Sequence, residues 1–415
     1  MYLELNTELT SQQVALKEQT HRLAAEVLRP VSVQLEKLDP QDVIAPGSVL
    51  WDVFKQAYQQ GFHLLQFPEE MGGAGAGPLE THIVYEETAW GSADLAIALG
   101  VSAFPFLSAL QFAAMTGNQA LMEEIVLPFA QDREGKYIGC WAITEPQHGS
   151  DTLMVGTESF DKPEAAGDCR ARLDGDEWVI NGQKSAWVSN GTIATHALLF
   201  LTIDPSMGMA GGGVAVVPLN VPGVTKGKPL DKLGQRALNQ GEIFFDDVRI
   251  PRHYMLTEAE GYSGVLNMTL ATANAAMGAL FTGVARAAFE EALAYTKTRV
   301  QGGKLICEHQ LVQAKLFDMF TKVERARALS RVAMIYNATT IPPALEYSIA
   351  SKITCTEAAF DVASDAVQLF GGLGLCKDLL VEKLFRDARA SLIEDGCNEV
   401  LALTGARQVI DAYTA

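Results

Sequence analysis

Several common site signatures are missing from this sequence. Its six cysteines, at 140, 169, 307, 355, 376 and 397, form no CxxC pair, and none is spaced with a histidine for zinc. Scattered singly among apolar residues, they are expected to be reduced core side chains of a cytoplasmic protein, and no metal site is expected. No GxGxxG follows a strand pattern and no GxxxxGK(S/T) occurs, which argues against Rossmann and P-loop nucleotide sites. Positive charge is scarce: 32 Lys and Arg stand against 50 Asp and Glu, a net charge of −18. That balance argues against nucleic acid or an anionic membrane as a partner. Long apolar runs are missing as well. Stretches such as ATHALLFLTI fall short of the roughly 20 residues that cross a bilayer. The opening MYLELNTELTSQQ is acidic and polar, unlike a secretory signal or a basic presequence.

The 415 residues, 48% apolar and 20% charged, suffice for two or three well-buried domains. Three zones follow one another in an α+β order. Residues 1–130 alternate helical patterns with Gly and Pro. SQQVALKEQTHRLAAEVL is read as a helix stopped by Pro30, and SVLWDVFKQAYQQG as one ending at Gly61. Residues 131–250 hold short segments rich in β-branched and aromatic residues, split by turn signals. LDGDEW reads as a hairpin turn, and the zone as an antiparallel barrel or sandwich. GMAGGGVAVV reads as a flexible loop leading into a strand. Residues 251–415 return to the helical period. A stripe runs from Val312 through Leu316, Met319, Val323, Ala326 and Leu329 to Ala333. A second helix carries Ile349, Ile353 and Phe360 and stops at Gly371-Gly372; a last one starts near Cys397.

Two segments of the middle zone carry chemistry: CWAITEPQHGSD (140–151) and INGQKSAWVSNG (180–191). A flavin needs an apolar wall, hydrogen-bond partners for its ring and a cradle for its pyrophosphate. Trp187 can wall one edge, Thr144 and Ser189 offer hydroxyls, and Gly149 and Ser150 let backbone approach a phosphate or pantetheine. In sequence and order these segments resemble the acyl-CoA dehydrogenase family, whose usual forms are near CAxTEPxxGSD and GxKxWISNG. KLGQRALNQGEIFFDDVRIP, TRVQGGKLICEHQ, QLFGGLG and LFRDARASLIEDGCNEV match further family motifs at the family's spacing. The resemblance implies an N-terminal helical domain, a middle β domain and a C-terminal four-helix bundle. It also implies FAD, an acyl-CoA thioester substrate and an electron-transferring flavoprotein as acceptor.

By that resemblance, FAD contacts fall on Trp141, Ile143, Thr144, Gly149 and Ser150, and on Trp187, Val188 and Ser189. Arg299, Gln301, Gln310, Gln368, Leu369, Gly371 and Gly372 match positions that reach the FAD of a neighbouring subunit. This implies a homo-oligomer, usually a dimer of dimers. The family's TFG after the Arg is Gln301-Gly302-Gly303 here, without its Phe. Where many members carry Asp and Arg toward CoA, this chain has Ala271 and Asn274.

Near the C-terminus SLIEDGCNEV places Glu394, Asp395 and Glu399 close together. The family's IYEGT aligns its catalytic Glu with Asp395, its Tyr with Glu394 and its FAD-contacting Thr with Cys397. Asp395 is thus the candidate base for the thioester α-proton; Glu394, Asn274 and Ser150 face substrate, and Glu399 lies on the FAD side. A carboxylate desolvated against an acyl chain has a raised pKa, which suits a base. Asp is one methylene shorter than Glu, which implies a shifted backbone or an unusual acyl group. Asp395 can also be read as a cap of the last helix. Asp94, in ETAWGSADLAIALG, is either a helix cap or a second pocket carboxylate acting on a remote carbon, as in members that oxidise cyclic enoyl-CoA by 1,4-elimination. Two other readings stay open: an Asp-based oxidase similar to nitroalkane oxidase, and a quiet flavoprotein like the alkylation-response relatives that bind nucleic acid.

Overall fold

Thr10 opens the first helix with a reciprocal cap. Its hydroxyl accepts from the Gln13 amide at 3.2 Å, and the Gln13 side chain accepts from the Thr10 amide at 3.0 Å. In this computed structural model, which describes residues 8–413, helix α1 (Ser11–Leu23) runs through a π turn (Ala24–Leu28) into α2 (Arg29–Leu35). The sequence reading stops the helix at Pro30; the structure carries it on to Leu35. Pro30 lies in the first turn of α2, where the wider π turn ahead of it redirects the carbonyls its ring would meet. The reading of an acidic opening falls partly on residues 1–7, outside the described residues.

Short α3 (Pro40–Val43) leads to α4 (Val49–Gln59), which ends before Gly61 at φ 78°. The largely buried α5 (Pro78–Gly91) and the half-buried α6 (Ala93–Thr116) follow, then the short α7 (Gln119–Leu121) and α8 (Leu127–Ala130).

The middle of the chain forms strands β1 (Gly139–Ala142), β2 (Arg170–Asp174), β3 (Glu177–Lys184) and β4 (His196–Thr202). Then come β5 (Gly212–Pro218), β6 (Val224–Lys226), β7 (Ile243–Pro251) and β8 (Met255–Thr257). They make one sheet in the order β6-β7-β3-β2-β4-β5-β8, with β1 beside β4. Most pairings are antiparallel, but β1 and β2 each pair β4 in parallel, so the sheet is mixed. The long segments between these strands supply the crossovers that parallel neighbours require. Gly175, at φ 65°, turns the β2–β3 hairpin.

The Gly-rich segment is not a loose loop. It forms a 3₁₀ turn (Pro205–Gly211) and the start of β5. A Cβ on Gly211 would lie 1.8 Å from the Asp204 carbonyl oxygen, and one on Gly212 would lie 2.5 Å from the Tyr262 ring. Those glycines are there for packing.

The C-terminal helices are α9 (Ala259–Thr296), α10 (Gln310–Thr339), α11 (Leu345–Phe370), α12 (Leu380–Ser391) and α13 (Asn398–Ala412), with a small hairpin, β9 (Val300–Gln301) and β10 (Lys304–Leu305), after α9. Helix α9 is the axis, packed by α5, α10, α11 and α12. A Cβ on Gly283 would come within 2.1 Å of the Glu86 carbonyl, so α5 and α9 touch backbone to backbone there. Buried charge also joins these helices. Arg286 donates to Glu86 at 2.8 Å and to Glu87, and Arg327 donates to Glu86 at 2.9 Å. By length and composition alone, α6 and α9 reach spanning size, which the count of uninterrupted apolar runs misses. For α9, 78% of the most apolar window is buried within the protein, as in a core helix. Cys140, Cys169 and Cys355 are buried as read, whereas Cys376 is exposed.

Candidate active site

The loop between α12 and α13 carries Asp395 at φ 51°, a left-handed conformation uncommon for a residue with a side chain. Four contacts hold it there. Asn274 of α9 donates to the Asp395 carbonyl at 3.2 Å. Lys352 of α11 donates to the Gly396 carbonyl at 2.8 Å. The Cys397 amide donates to the Ser150 hydroxyl at 2.9 Å, and the Asn398 amide to the Leu392 carbonyl at 3.0 Å. Gly396, at φ 97°, tolerates no side chain, since a Cβ would meet Leu153 and Leu401 at 2.8 Å. The backbone is fixed, yet the carboxylate and N–H of Asp395 are unbonded. Among the described residues, neither its carboxylate nor its backbone N–H has a hydrogen-bond partner. Burial pushes its carboxyl up to about 6, with the Lys352 ammonium opposing.

Glu394 lies beside it. Burial raises its carboxyl to about 7, against a 2.9 Å hydrogen bond from Gln235 Nε2 and with the Asp395 charge adding to the rise. Gln235, itself at φ 50°, also donates its backbone N–H to Asp387 at 2.5 Å.

Asp94 has a different setting. Fully buried, it accepts from the hydroxyls of Ser32 and Ser92, from the amides of Leu95 and Ala237, and from Lys383 Nζ at 3.1 Å. Burial raises its pKa, but Lys383 and those donors outweigh it and bring the carboxyl down to about 2. Lys383 also donates to Asp387 at 2.5 Å, so Asp94 belongs to a filled ionic network. Ser92 is the N-cap of α6, accepting from Leu95, and Asp94 lies in its first turn.

The two motif segments of the middle zone lie side by side. The Ser185 amide donates to the Thr144 carbonyl at 2.9 Å, and its hydroxyl to Thr144 Oγ1 at 2.9 Å. Asn190, at φ 62°, pins the second segment to α6 and β1 by donating to the carbonyls of Ala98 and Gly139. Ile143 and Val188 are buried, and Ser189 accepts from Gln240 at 3.2 Å. By contrast Arg299, Gln301, Gln310, Gln368, Gly371, Gly372 and Glu399 are all exposed, with Leu369 half-buried beneath them. Within one chain no hydrogen bond or ion pair joins residues 299, 301, 310 and 368–372 to the Asp395 loop among the described residues, whereas Cys397 and Ser150 lie at it and Glu399 acts on the same Lys352.

Models of the N-terminal, middle and C-terminal domains of acyl-CoA dehydrogenases match residues 10–131, 140–248 and 261–410. Over 410 residues, 98% of this chain and 92% of the relative, the sequence is 31% identical to short-chain specific acyl-CoA dehydrogenase from Bos taurus mitochondria. The chain belongs to the acyl-CoA dehydrogenase family. Its fold is similar to that of butyryl-CoA dehydrogenase from Megasphaera elsdenii, with a TM-score of 0.85 and 27% identity over 98% of this chain and all of that one. A chain solved in work on the electron transferring flavoprotein of Acidaminococcus fermentans matches at TM-score 0.84 and 28% identity, covering 98% of this chain and all of that one. As an acyl-CoA dehydrogenase the protein is an FAD-dependent oxidoreductase acting on acyl-CoA.

The residues present fit that cofactor. The Trp141 indole N–H is buried without a partner, an orphan that a flavin or its phosphates can satisfy. Trp187 is 63% exposed and offers a large apolar face on which a flavin ring can pack. A Cβ on Gly149 would meet nothing within 4 Å, so the chain leaves space there. Thr144 Oγ1, already accepting from Ser185, keeps its own proton to donate.

Residue-type reasoning missed Lys352, Gln235 and the partnership of Glu145 with Lys184. Lys352 had a signal: it interrupts the apolar face of α11 between Ile349 and Ile353. Glu145 and Lys184 stood inside the two quoted motifs but bore no assigned role.

Proposed function

We propose that Asp395 is the base that removes the α-proton of the bound acyl-CoA. The observation that carries this reading is a half-buried carboxylate with no hydrogen-bond partner on a backbone gripped from α9, α11 and the Ser150 loop. A base must keep its lone pair available, and Asp94, with five donors on it, does not. In this reading the unpartnered Asp395 N–H polarises the thioester carbonyl, which acidifies the α-C–H. FAD, when bound, supplies the acceptor for the β-hydride. The two departures leave a carbon–carbon double bond in the product. Trp141, Ile143, Thr144, Trp187, Val188 and Ser189 hold FAD in this reading, with Gly149 and Ser150 on its phosphate and pantetheine side. Cys397 and Glu399 complete it.

The exposed Arg299, Gln301, Gln310, Gln368, Gly371 and Gly372, with Leu369, reach the FAD of a second subunit, and the chain assembles as a dimer of dimers. An electron-transferring flavoprotein takes the electrons. A cytoplasmic location without nucleic acid or membrane partners accords with the charge of −18. Glu394 and Asn274 border the acyl group, and Asp94 has a structural role. The reading is tested by anaerobic mixing with straight, branched and cyclic acyl-CoAs. At least one should bleach the flavin in wild type and fail to do so at comparable rate in Asp395→Asn. Bleaching that is as fast in the variant would remove Asp395 from the mechanism.

A further inference from the structure

Lys352 is fully buried, and among the described residues no carboxylate oxygen lies within ion-pair distance of it. Its Nζ donates instead to two neutral oxygens, the Gly396 carbonyl at 2.8 Å and Asn398 Oδ1 at 2.7 Å. Asn398 is held in turn, donating to Thr356 Oγ1 at 3.1 Å, and Thr356 donates to the Lys352 carbonyl at 2.8 Å. An ammonium taken out of water without a counter-ion is costly, so a buried lysine of this kind needs a reason. Both of its acceptors belong to the few residues that follow Asp395.

We infer that Lys352 is a positioning residue for the dehydrogenation, fixing the Asp395 loop through Gly396 and Asn398 and holding the Asp395 carboxylate in its proton-accepting form. The inference rests on the reading of Asp395 as the base. The coupling is reciprocal. Burial lowers Lys352 to about 8, and the charges that oppose this are Asp395 first, then Glu394, Cys397 and Glu399. For Asp395, Lys352 is the one charge opposing the effect of burial. Other elements facing this loop offer no substitute: α9 presents the neutral Asn274, α13 the acidic Glu399, and Lys232 couples first to Glu394.

The sign follows directly. With the ammonium gone, Asp395 keeps its proton to higher pH, and a base that holds its proton is idle. Isotope-edited infrared titration of 13C-aspartate, on FAD-loaded protein without substrate and with Asp395→Asn as the blank, reads that proton without any turnover. Lys352→Met should move the Asp395 midpoint up by about one pH unit or more. Asn398→Ala, which loosens the loop but keeps the ammonium, should leave it in place. Equal midpoints in wild type and Lys352→Met, or an equal rise in Asn398→Ala, would overturn the inference. If Lys352→Met yields no folded holoprotein, Lys352→Arg decides: an unmoved midpoint supports the charge role and a rise of a unit or more overturns it. The acid limb of anaerobic flavin reduction, with butyryl-CoA as the probe, should shift with the infrared midpoint. If the midpoint shifts in Lys352→Met while Asp395→Asn reduces flavin at the wild-type rate, the base assignment fails and the Lys352–Asp395 coupling stands.

Discussion

Glu145 and Lys184 meet at 2.6 Å with both side chains buried, and they tie the two motif segments of the β domain to each other. Lys184 also donates to the Ile143 carbonyl at 3.0 Å, while the second Glu145 oxygen accepts from the amides of Asp168 and Cys169. Removing one partner leaves a buried charge uncompensated, which costs on the order of 3–5 kcal/mol. Lys184→Met should therefore lower the thermal midpoint and release FAD at lower temperature than wild type. Flavin fluorescence during a thermal ramp checks this, and an unchanged release temperature would contradict it.

That pair shows what could be read from the sequence and what could not. The order of helical, β and helical zones was legible because hydrophobic period changes from 3.6 to 2 and back. The turn at residues 394–397 was legible because the last helix was read as starting near Cys397, and Cys397 is its N-cap. Partnerships across the fold were not. Glu145 and Lys184 are 39 residues apart, and Asn274 and Asp395 are 121 apart. Period says which face is buried, but not which polar groups meet there. The parallel pairings of β1 and β2 with β4 were invisible for the same reason, and so was the passage of the first helix through Pro30.

Asp395 and Asp94 should respond differently to loss of charge. Asp395→Asn keeps the loop hydrogen bonds, which use backbone atoms, so FAD should remain while flavin reduction slows by about 10³-fold, within the usual range for a general base. Asp94→Asn removes one of the counter-charges of Lys383, at 3.1 Å beside Asp387 at 2.5 Å, and should lower the thermal midpoint, with reduction per bound flavin changed only a few-fold. Its carboxyl is depressed to about 2, so the stability it contributes is present above pH 4 and is lost as pH falls toward 2. Single-turnover reduction and thermal melts of both variants separate the roles. A slow Asp94→Asn beside a fast Asp395→Asn would reverse them.

Burial of Asp395 makes the wild-type protein less stable than it could be. Its folded pKa, about 6, lies above the ordinary 3.8, so the folded state binds the extra proton and stability declines as pH rises from about 4 through 6. An uncharged amide avoids this cost. Asp395→Asn should melt above wild type at pH 7.5, with the gap narrowing as pH falls through 6 and closing below about pH 4. Parallel melts across that range measure it. A variant that melts below wild type at pH 7.5 would show that the carboxylate is stabilised in place.

Assembly gives the last prediction. On α10, Leu311 is 86% and Phe317 70% exposed, close in sequence to the exposed Gln310, and Leu375 is 76% exposed just beyond the Gly371-Gly372 stop. Large exposed apolar side chains such as these mark a surface that another chain covers. Light scattering should give the mass of two or four chains, little changed by salt because the contact is apolar. Phe317→Glu places a charge in that surface and should shift the protein toward single chains. If Arg299, Gln310 and Gln368 reach the flavin of a neighbour, the same variant should also lose FAD on gel filtration, although Phe317 lies outside the Asp395 site. Single chains that keep FAD would show that each subunit holds its cofactor alone.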